Sequence, residues 1–409
     1  MLALTALHPL ERTLAIGVAA ALLAAPVHAQ RDVPELRARA EAGDAAAQFN
    51  LARLHVTGTG VPRDDGRAAH WYRMAAEQGH AGAQHGLGVR YDAGLGVPED
   101  DAEAARWFRR AADQGHWEAQ FRLGRLYARG AGVGRDDAEA VRWFRRAAGQ
   151  GHAEAQFNLG RMHFNGRGVP QDRERAAHWV RLAAAQGNPT AQVTLASMYE
   201  TGSGVDRDLA LAARWYRLAA VQGDPAAQVT LGYLYDAGAG VPEDDAEAAR
   251  WIRRAADQDY AEAQFALANL HFNGRGVARD LAEAIRLVRR AAEQGHVRAQ
   301  FNLGMSYDTG TGVGRDAAEA ARWFRRAADQ GDPAAQQNLG ILYANGDGVP
   351  QDPAAAYLWL TLAAGQAPEP ARDSLLQARA IVARQLTPGQ LAAAEQRAED
   401  WSPVTAATR

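Results

Sequence analysis

The 409-residue chain contains neither cysteine nor lysine. Without cysteine there are no disulfides, no thiolate metal sites, no cysteine nucleophile and no lipidated N-terminal cysteine. Without lysine, all 45 basic residues are arginine. The Walker-type phosphate lysine, the Schiff-base lysine and the S-x-x-K acylation motif are therefore excluded together. Serine is scarce: Ser197, Ser203, Ser306, Ser374 and Ser402 have no base close in sequence, and G-x-S-x-G is absent. H-E-x-x-H and H-x-H-x-D are missing as well, so no hydrolytic zinc site is spelled out. A formal net charge of −3 gives no basis for nucleic-acid binding. No segment after Ala25 is apolar enough to span a bilayer. With 47% hydrophobic and 23% charged residues, however, the chain is one that folds. No catalytic residue, cofactor or metal is assigned, and a non-enzymatic protein is expected.

Residues 13–25 form an uncharged apolar stretch after Arg12, broken by Pro26 and followed by Val27-His28-Ala29. That order is the one of a secretory signal, with cleavage expected after Ala29. The thirteen apolar residues fall short of the roughly 20 that cross a bilayer. The mature chain is then expected to be periplasmic or secreted, and not integral to a membrane after cleavage.

What is present in abundance is repetition. An Ala-Gln pair places its glutamine at Gln48, Gln84, Gln120, Gln156, Gln192, Gln228, Gln264, Gln300 and Gln336, always 36 residues apart. The tract 44–367 is thus nine units without insertion or deletion. In residues 80–115, Ala83, Leu87, Gly88 and Tyr91 share one helical face. Gly94, Gly96, Val97 and Pro98 stop that helix. Asp100 stands where an N-cap belongs, with Glu103 placed to complete a capping box. A second helix follows, presenting Ala104, Trp107 and Ala111 and ending at Gly115. One unit cannot bury both of its apolar faces, so neighbours must stack. Residues 30–43 read as an N-terminal capping helix and residues 368–409 as C-terminal capping helices, 371–385 and 388–401, with a tail. The fold class is all-α, built from nine helix–turn–helix repeats.

The Leu87-Gly88-x-x-Tyr91 run resembles the tetratricopeptide repeat. The 36-residue period, the G-x-G-V loop at Gly94, Gly96 and Val97, the A-x-x-W-x-x-x-A-A run and the closing Gln-Gly are similar to the Sel-1-like repeat family. The tail from Leu386 to Leu391, ending in Trp401, resembles the C-terminal cap of bacterial members. The resemblance implies a right-handed α/α superhelical solenoid that acts as an adaptor, gripping another protein on its concave side. Envelope members are associated with signalling control, polysaccharide export and host contact. Some relatives have been described as β-lactamases rich in disulfides; a chain without cysteine does not inherit that activity.

The first helices, which line the concave side in folds of this kind, carry fixed framework columns and variable columns between them. The variable positions include Asn50 with Arg53, Arg122 with Arg125 and Asn158 with Arg161, each pair spaced i, i+3 on one face. Asparagine with arginine on adjacent helices resembles the clamp that some tetratricopeptide domains close on a peptide carboxylate, and arginine suits that bidentate chemistry. Later repeats turn milder, with Thr194 and Ser197, Thr230 and Tyr233, Asn302 and Met305, and Asn338 and Ile341. Phe164 and Phe272 are candidate apolar anchors. A protein or peptide partner is therefore expected, with Asn50, Arg53, Arg122, Arg125, Asn158, Arg161 and Tyr233 as contacts. The alternative partner is an acidic envelope glycan on the second-helix arginine column Arg73, Arg109, Arg145, Arg181, Arg217, Arg253, Arg289 and Arg325. That column also reads as a solvated face complementing the helix dipole.

Other features take structural readings. His80, His116, His152 and His296 share a column, stand about 10 Å apart if neighbouring helices pack normally, and read as exposed turn residues. His55, His163 and His271 replace the tyrosine of the Tyr91 column and read as core-edge packing. Leu287 replaces the tryptophan of the other eight units, which predicts looser packing there. Trp117, in a column otherwise of Ala, Pro and Val, reads as a local packing variation.

Overall fold

The computed structural model describes residues 25–404, which are helical with no strand among them. Helix α1 (Ala25–Glu41) precedes nine pairs. The first five pairs are α2 (Ala45–Thr57) with α3 (Asp65–Glu77), α4 (Ala81–Asp92) with α5 (Asp101–Asp113), α6 (Trp117–Arg129) with α7 (Asp137–Gly149), α8 (Ala153–Asn165) with α9 (Arg173–Ala185), and α10 (Pro189–Thr201) with α11 (Leu209–Val221). The remaining four are α12 (Pro225–Asp236) with α13 (Asp245–Asp257), α14 (Ala261–Asn273) with α15 (Leu281–Glu293), α16 (Val297–Thr309) with α17 (Ala317–Asp329), and α18 (Pro333–Asn345) with α19 (Pro353–Gln366). Helices α20 (Ala371–Ala383) and α21 (Pro388–Glu399) follow, both packed on α19. The expected signal segment lies almost wholly outside the described residues, and α1 starts four residues before Ala29. The chain divides into two compact units, one reaching Met198 and including Gly202–Asp206, the other comprising Tyr199–Thr201 and everything from Arg207. Within each, successive helices pack in chain order, the pattern of an α/α solenoid.

Each second helix starts where the sequence placed it. Asp100 is extended and accepts from the N–H groups of Ala102 and Glu103, both at 2.9 Å, which satisfies two orphan donors of the first turn. The expected capping box does not close. The Asp100 N–H is already donated to the Tyr91 carbonyl at 3.0 Å, and Glu103 turns instead to Arg106 at 2.6 Å. The reciprocal box forms at Thr387 and Gln390.

The histidine column is corrected as well. His80, His116, His152 and His296 are half-buried N-caps whose Nδ1 atoms accept from the N–H three residues on, at 3.0–3.3 Å. Each ring also packs on the aromatic ring one repeat back. The centroid distances are 4.5 Å to Phe49, 4.6 Å to His85, 4.6 Å to Phe121 and 4.7 Å to Phe265. Capping requires an unprotonated Nδ1, and burial reinforces the requirement. His85 is pushed down to about 3, by burial first and then by His116 and Arg122. His116, His152 and His163 are lowered, with burial the largest cause. Lowered histidines stay neutral in the folded chain while the unfolded chain takes up protons, so stability must fall as pH drops below about 6.5. At pH 5, His85 alone accounts for about 2 kcal/mol of that loss. Urea unfolding at pH 7.5, 6 and 5 is expected to show the decline, with a shallower slope in His85→Phe. A flat profile above pH 5 would remove the argument.

The core is built from alanines and a few large residues. Ala104 and Ala111 are fully buried, and Trp143 and Phe144 fill the space between helices. Gly88 lies flat beneath a ring: a Cβ there would stand 2.6 Å from Phe108. Repeat boundaries are stitched by the glutamines. Gln84 Nε2 donates to the Ala76 carbonyl of the preceding unit, and its Oε1 accepts from Gln114. At Leu287 the space is partly refilled, since Leu287, Ile285 and Val288 are all buried in one cluster. A cleft of about 290 Å³ opens beside Ile285 and Val288, lined also by Phe272 and Met305, but Leu287 is not part of its wall.

Candidate functional site

In the first unit, a cleft of about 200 Å³ opens between α6 and α8. Arg125 and Arg129 enter it one turn apart on α6, and Asn158 and Arg161 at i, i+3 on α8; Phe144 and Met162 supply apolar lining. Arg167 also reaches the cleft but is held by Asp137 at 2.6 Å. Arg125, Arg129 and Arg161 form no ion pair among the described residues. Burial, followed by repulsion from Arg129 and Arg122, pulls the Arg125 guanidinium below its ordinary value, although an arginine stays cationic at any physiological pH. Three uncompensated guanidinium groups around one cleft are a standing demand for an anion. One Asn158 amide N–H is committed to the Glu154 carbonyl at 2.7 Å, which leaves its second N–H and its side-chain carbonyl to offer.

A second cleft of about 200 Å³ adjoins the first through two shared residues, Arg161 and Asn165. It is apolar, lined by Phe157, Phe164, Val180 and Met198. Phe164 is therefore at a cleft wall, as a residue with an anchoring role would be.

Of the seven expected contact residues, Arg125, Asn158 and Arg161 are brought together. Arg53 lines a different cleft, beside Phe49 and Tyr72. Asn50 is exposed. Arg122 is half-buried and paired inside the chain, 3.3 Å from Asp92 and 3.8 Å from Glu118. Tyr233 donates its hydroxyl to Glu262 at 3.1 Å, and burial with that carboxylate pushes its pKa up to about 12. Arg129 was not among the expected residues, although its i+4 spacing from Arg125 signalled it.

The second-helix arginine column is largely spent on holding repeats together. Arg73 and Arg289 donate to Tyr91 and Tyr307 of the next unit at 2.7 Å. Arg109, Arg217 and Arg325 donate to Tyr127, Tyr235 and Tyr343, and Arg253 lies 3.4 Å from His271 Nε2. Among the described residues no group of three or more His, Asp or Glu side chains is arranged to hold a metal, and no helix is long and apolar enough to cross a membrane.

Comparison with known proteins gives the architecture its family. The Sel1 repeat model matches nine consecutive times, from residues 45–80 to 333–367. No curated protein matches the chain. Among solved structures, a Sel1 repeat protein from Oxalobacter formigenes is 38% identical, with 75% of this chain and 89% of that chain covered and a TM-score of 0.64. The protective antigen c5321 of uropathogenic Escherichia coli strains, which displays an SLR fold, is 33% identical over 90% of this chain and 94% of its own, with a TM-score of 0.53. Nine matched repeats and two relatives above 30% identity over most of their lengths lead to one conclusion: the chain belongs to the Sel1 repeat family.

Proposed function

We propose that this Sel1 repeat protein is a non-catalytic scaffold of the cell envelope, exported by its N-terminal segment, that captures a partner protein through a carboxylate-bearing segment. Sel1 repeat proteins are generally interaction scaffolds. The observation that carries the finer reading is the α6–α8 cleft, where Arg125, Arg129 and Arg161 converge without an acidic partner. A carboxylate entering there gains charge-assisted hydrogen bonds, and the adjoining apolar cleft at Phe157 and Phe164 accommodates a neighbouring hydrophobic side chain. The glycan reading receives no comparable support, because most of its arginines are bonded to tyrosines.

The test is a crosslinking capture from native envelopes with the chain beginning at Gln30 and with a variant carrying Arg125→Ala, Arg129→Ala and Arg161→Ala. A discrete protein recovered by the parent should be lost by the variant, with binding weakened at least tenfold per arginine, as hydrogen bonds to charged groups imply. Arg109→Ala with Arg145→Ala should leave recovery unchanged. Equal recovery by all three chains would end the carboxylate reading.

A further inference from the structure

Nine copies of one repeat provide an internal standard, and departures from it concentrate in a third cleft of the first unit. This cleft, about 320 Å³ between α2, α4 and the start of α6, lies at the small end of ligand pockets. Its lining includes Arg90 where other repeats carry Leu, Met or Ser, and His85 where most carry Phe or Val. Tyr72 stands in a largely apolar column, and Trp117 in one otherwise of Ala, Pro and Val. Gly82 and Gly86, one turn apart, leave that face of α4 without side chains, at a helix cost of about 1 kcal/mol for the interior Gly86.

These replacements are polar groups put into a core and left incompletely satisfied. The Arg90 side chain is only 8% exposed; its Nη1 pairs with Asp65 at 2.8 Å, but its Nε has no partner. His85 Nε2 is also buried without a hydrogen bond, with the Glu118 carboxylate 3.8 Å away. The Tyr72 hydroxyl makes no hydrogen bond among the described residues. Such groups carry a real burial penalty, and the helix packing does not require them, since no other repeat has an arginine in the Arg90 column or a histidine in the His85 column. Trp117, 45% exposed, stands at the mouth.

Charge defines the complement. Asp65 offsets Arg90, and Glu118 lies 3.8 Å from Arg122. Arg53 has only the face of Phe49, at 5.8 Å, and no carboxylate. Of the two guanidinium groups that line the cleft, Arg53 is therefore the one without an ion pair, and it stands among aromatic rings; Glu118, the one carboxylate of the lining, faces His85 and Arg122. We propose that the cleft binds a small aromatic monocarboxylate, with the ring against Phe49, Tyr72 and Trp117 and the carboxylate toward Arg53 and Arg90. This site is separate from the α6–α8 cleft and stands or falls independently of it.

Calorimetric titration of the full mature chain with phenylacetate tests the proposal, with phenylacetamide and acetate as comparators. Saturable one-site binding of phenylacetate is expected, with both comparators at least about tenfold weaker, because one lacks the charge and the other the ring. Arg53→Gln, at an exposed position, should weaken binding at least about tenfold. Arg90→Leu restores the residue that most other repeats carry; it should keep or raise the thermal midpoint while weakening phenylacetate to the same degree. Trp117→Ala should reduce affinity severalfold. The proposal is overturned if phenylacetate gives no saturable heat up to about 10 mM, a ceiling of only about 3 kcal/mol of affinity. Equal binding of phenylacetamide overturns it too, as does undiminished binding in both Arg53→Gln and Arg90→Leu.

Discussion

Gly132→Ala is expected to destabilise the first unit by about 3–5 kcal/mol, among the largest effects any single methyl group can have here. Gly132 is the second glycine of its G-x-G-V loop, at φ +65°, and an added Cβ would stand 2.1 Å from the carbonyl carbon and oxygen of Asp101. The obstacle is backbone at the start of α5, one repeat back, and it cannot rotate aside as a side chain would. Gly96, Gly168, Gly204, Gly240, Gly276 and Gly348 make the same approach to the preceding repeat. Gly151 is the control. Its φ is +90° but nothing lies within 4 Å of an added Cβ, so Gly151→Ala should cost only the left-handed backbone penalty, about 1–2 kcal/mol. Gly312 is intermediate, since its first obstacle is the Ile285 side chain at 2.8 Å. Urea unfolding of the three variants, with hydrogen exchange to locate the loss at α5–α7, decides the matter. Equal costs for Gly132→Ala and Gly151→Ala would mean that loop docking does not join the repeats.

That glycine also shows how far the sequence could be read. Its recurrence every 36 residues announced a turn, but a turn needs only positive φ; the contact with the preceding repeat is a tertiary fact. The Asp100 column was legible because a side-chain cap is local chemistry, and all nine members are aspartate. The His80 column carried the same signal in disguise, because its other members include Asp44, Asn188, Asp224 and Asp332, all N-caps. Histidine exchanging with Asp and Asn was the clue to a ring nitrogen acting as acceptor. The Arg73 and Tyr91 columns were both visible, yet only stacking shows that an offset of 18 residues joins them. Variation between framework columns led to Arg125, Asn158 and Arg161. It did not reach Arg90, whose column lies outside the two variable ones, and it included Arg122, whose partner Asp92 lies 30 residues back on the neighbouring repeat.

The strongest polar element of the fold leads to the second large effect. Gln120→Leu is expected to cost about 2–3 kcal/mol despite replacing a buried polar side chain with an apolar one of similar size. Gln120 Nε2 donates to the Ala112 carbonyl at 3.1 Å, and its Oε1 accepts from Gln150 at 2.9 Å. Leucine removes both bonds in a site that water does not reach, each worth about 1–1.5 kcal/mol. The Ala112 carbonyl would keep the backbone N–H groups of Gln114 and Gly115, and the Gln150 amide only the Gly115 carbonyl. Because Ala112 ends one repeat and Gln120 opens the next, the loss falls on a boundary. In a linear array a weakened boundary separates neighbours rather than melting either alone, so exchange protection should drop on both sides of it. Gln264 offers the contrast. Its Nε2 bonds the Asp259 carboxylate at 2.6 Å, and Asp259 is also held by Arg290 at 2.7 Å and Gln294 at 3.2 Å. Asp259 is a non-glycine residue at φ +63°, kept there by these three donors. Gln264→Leu also removes the bond that its Oε1 accepts from Gln294 at 2.9 Å, but Asp259 is exposed to water and keeps two donors, and Gln294 keeps its bond to Asp259, so the cost should be smaller than at Gln120. If the two variants unfold at the same urea concentration, the amide ladder is not what couples the repeats, and the alanine and tryptophan packing alone must do so.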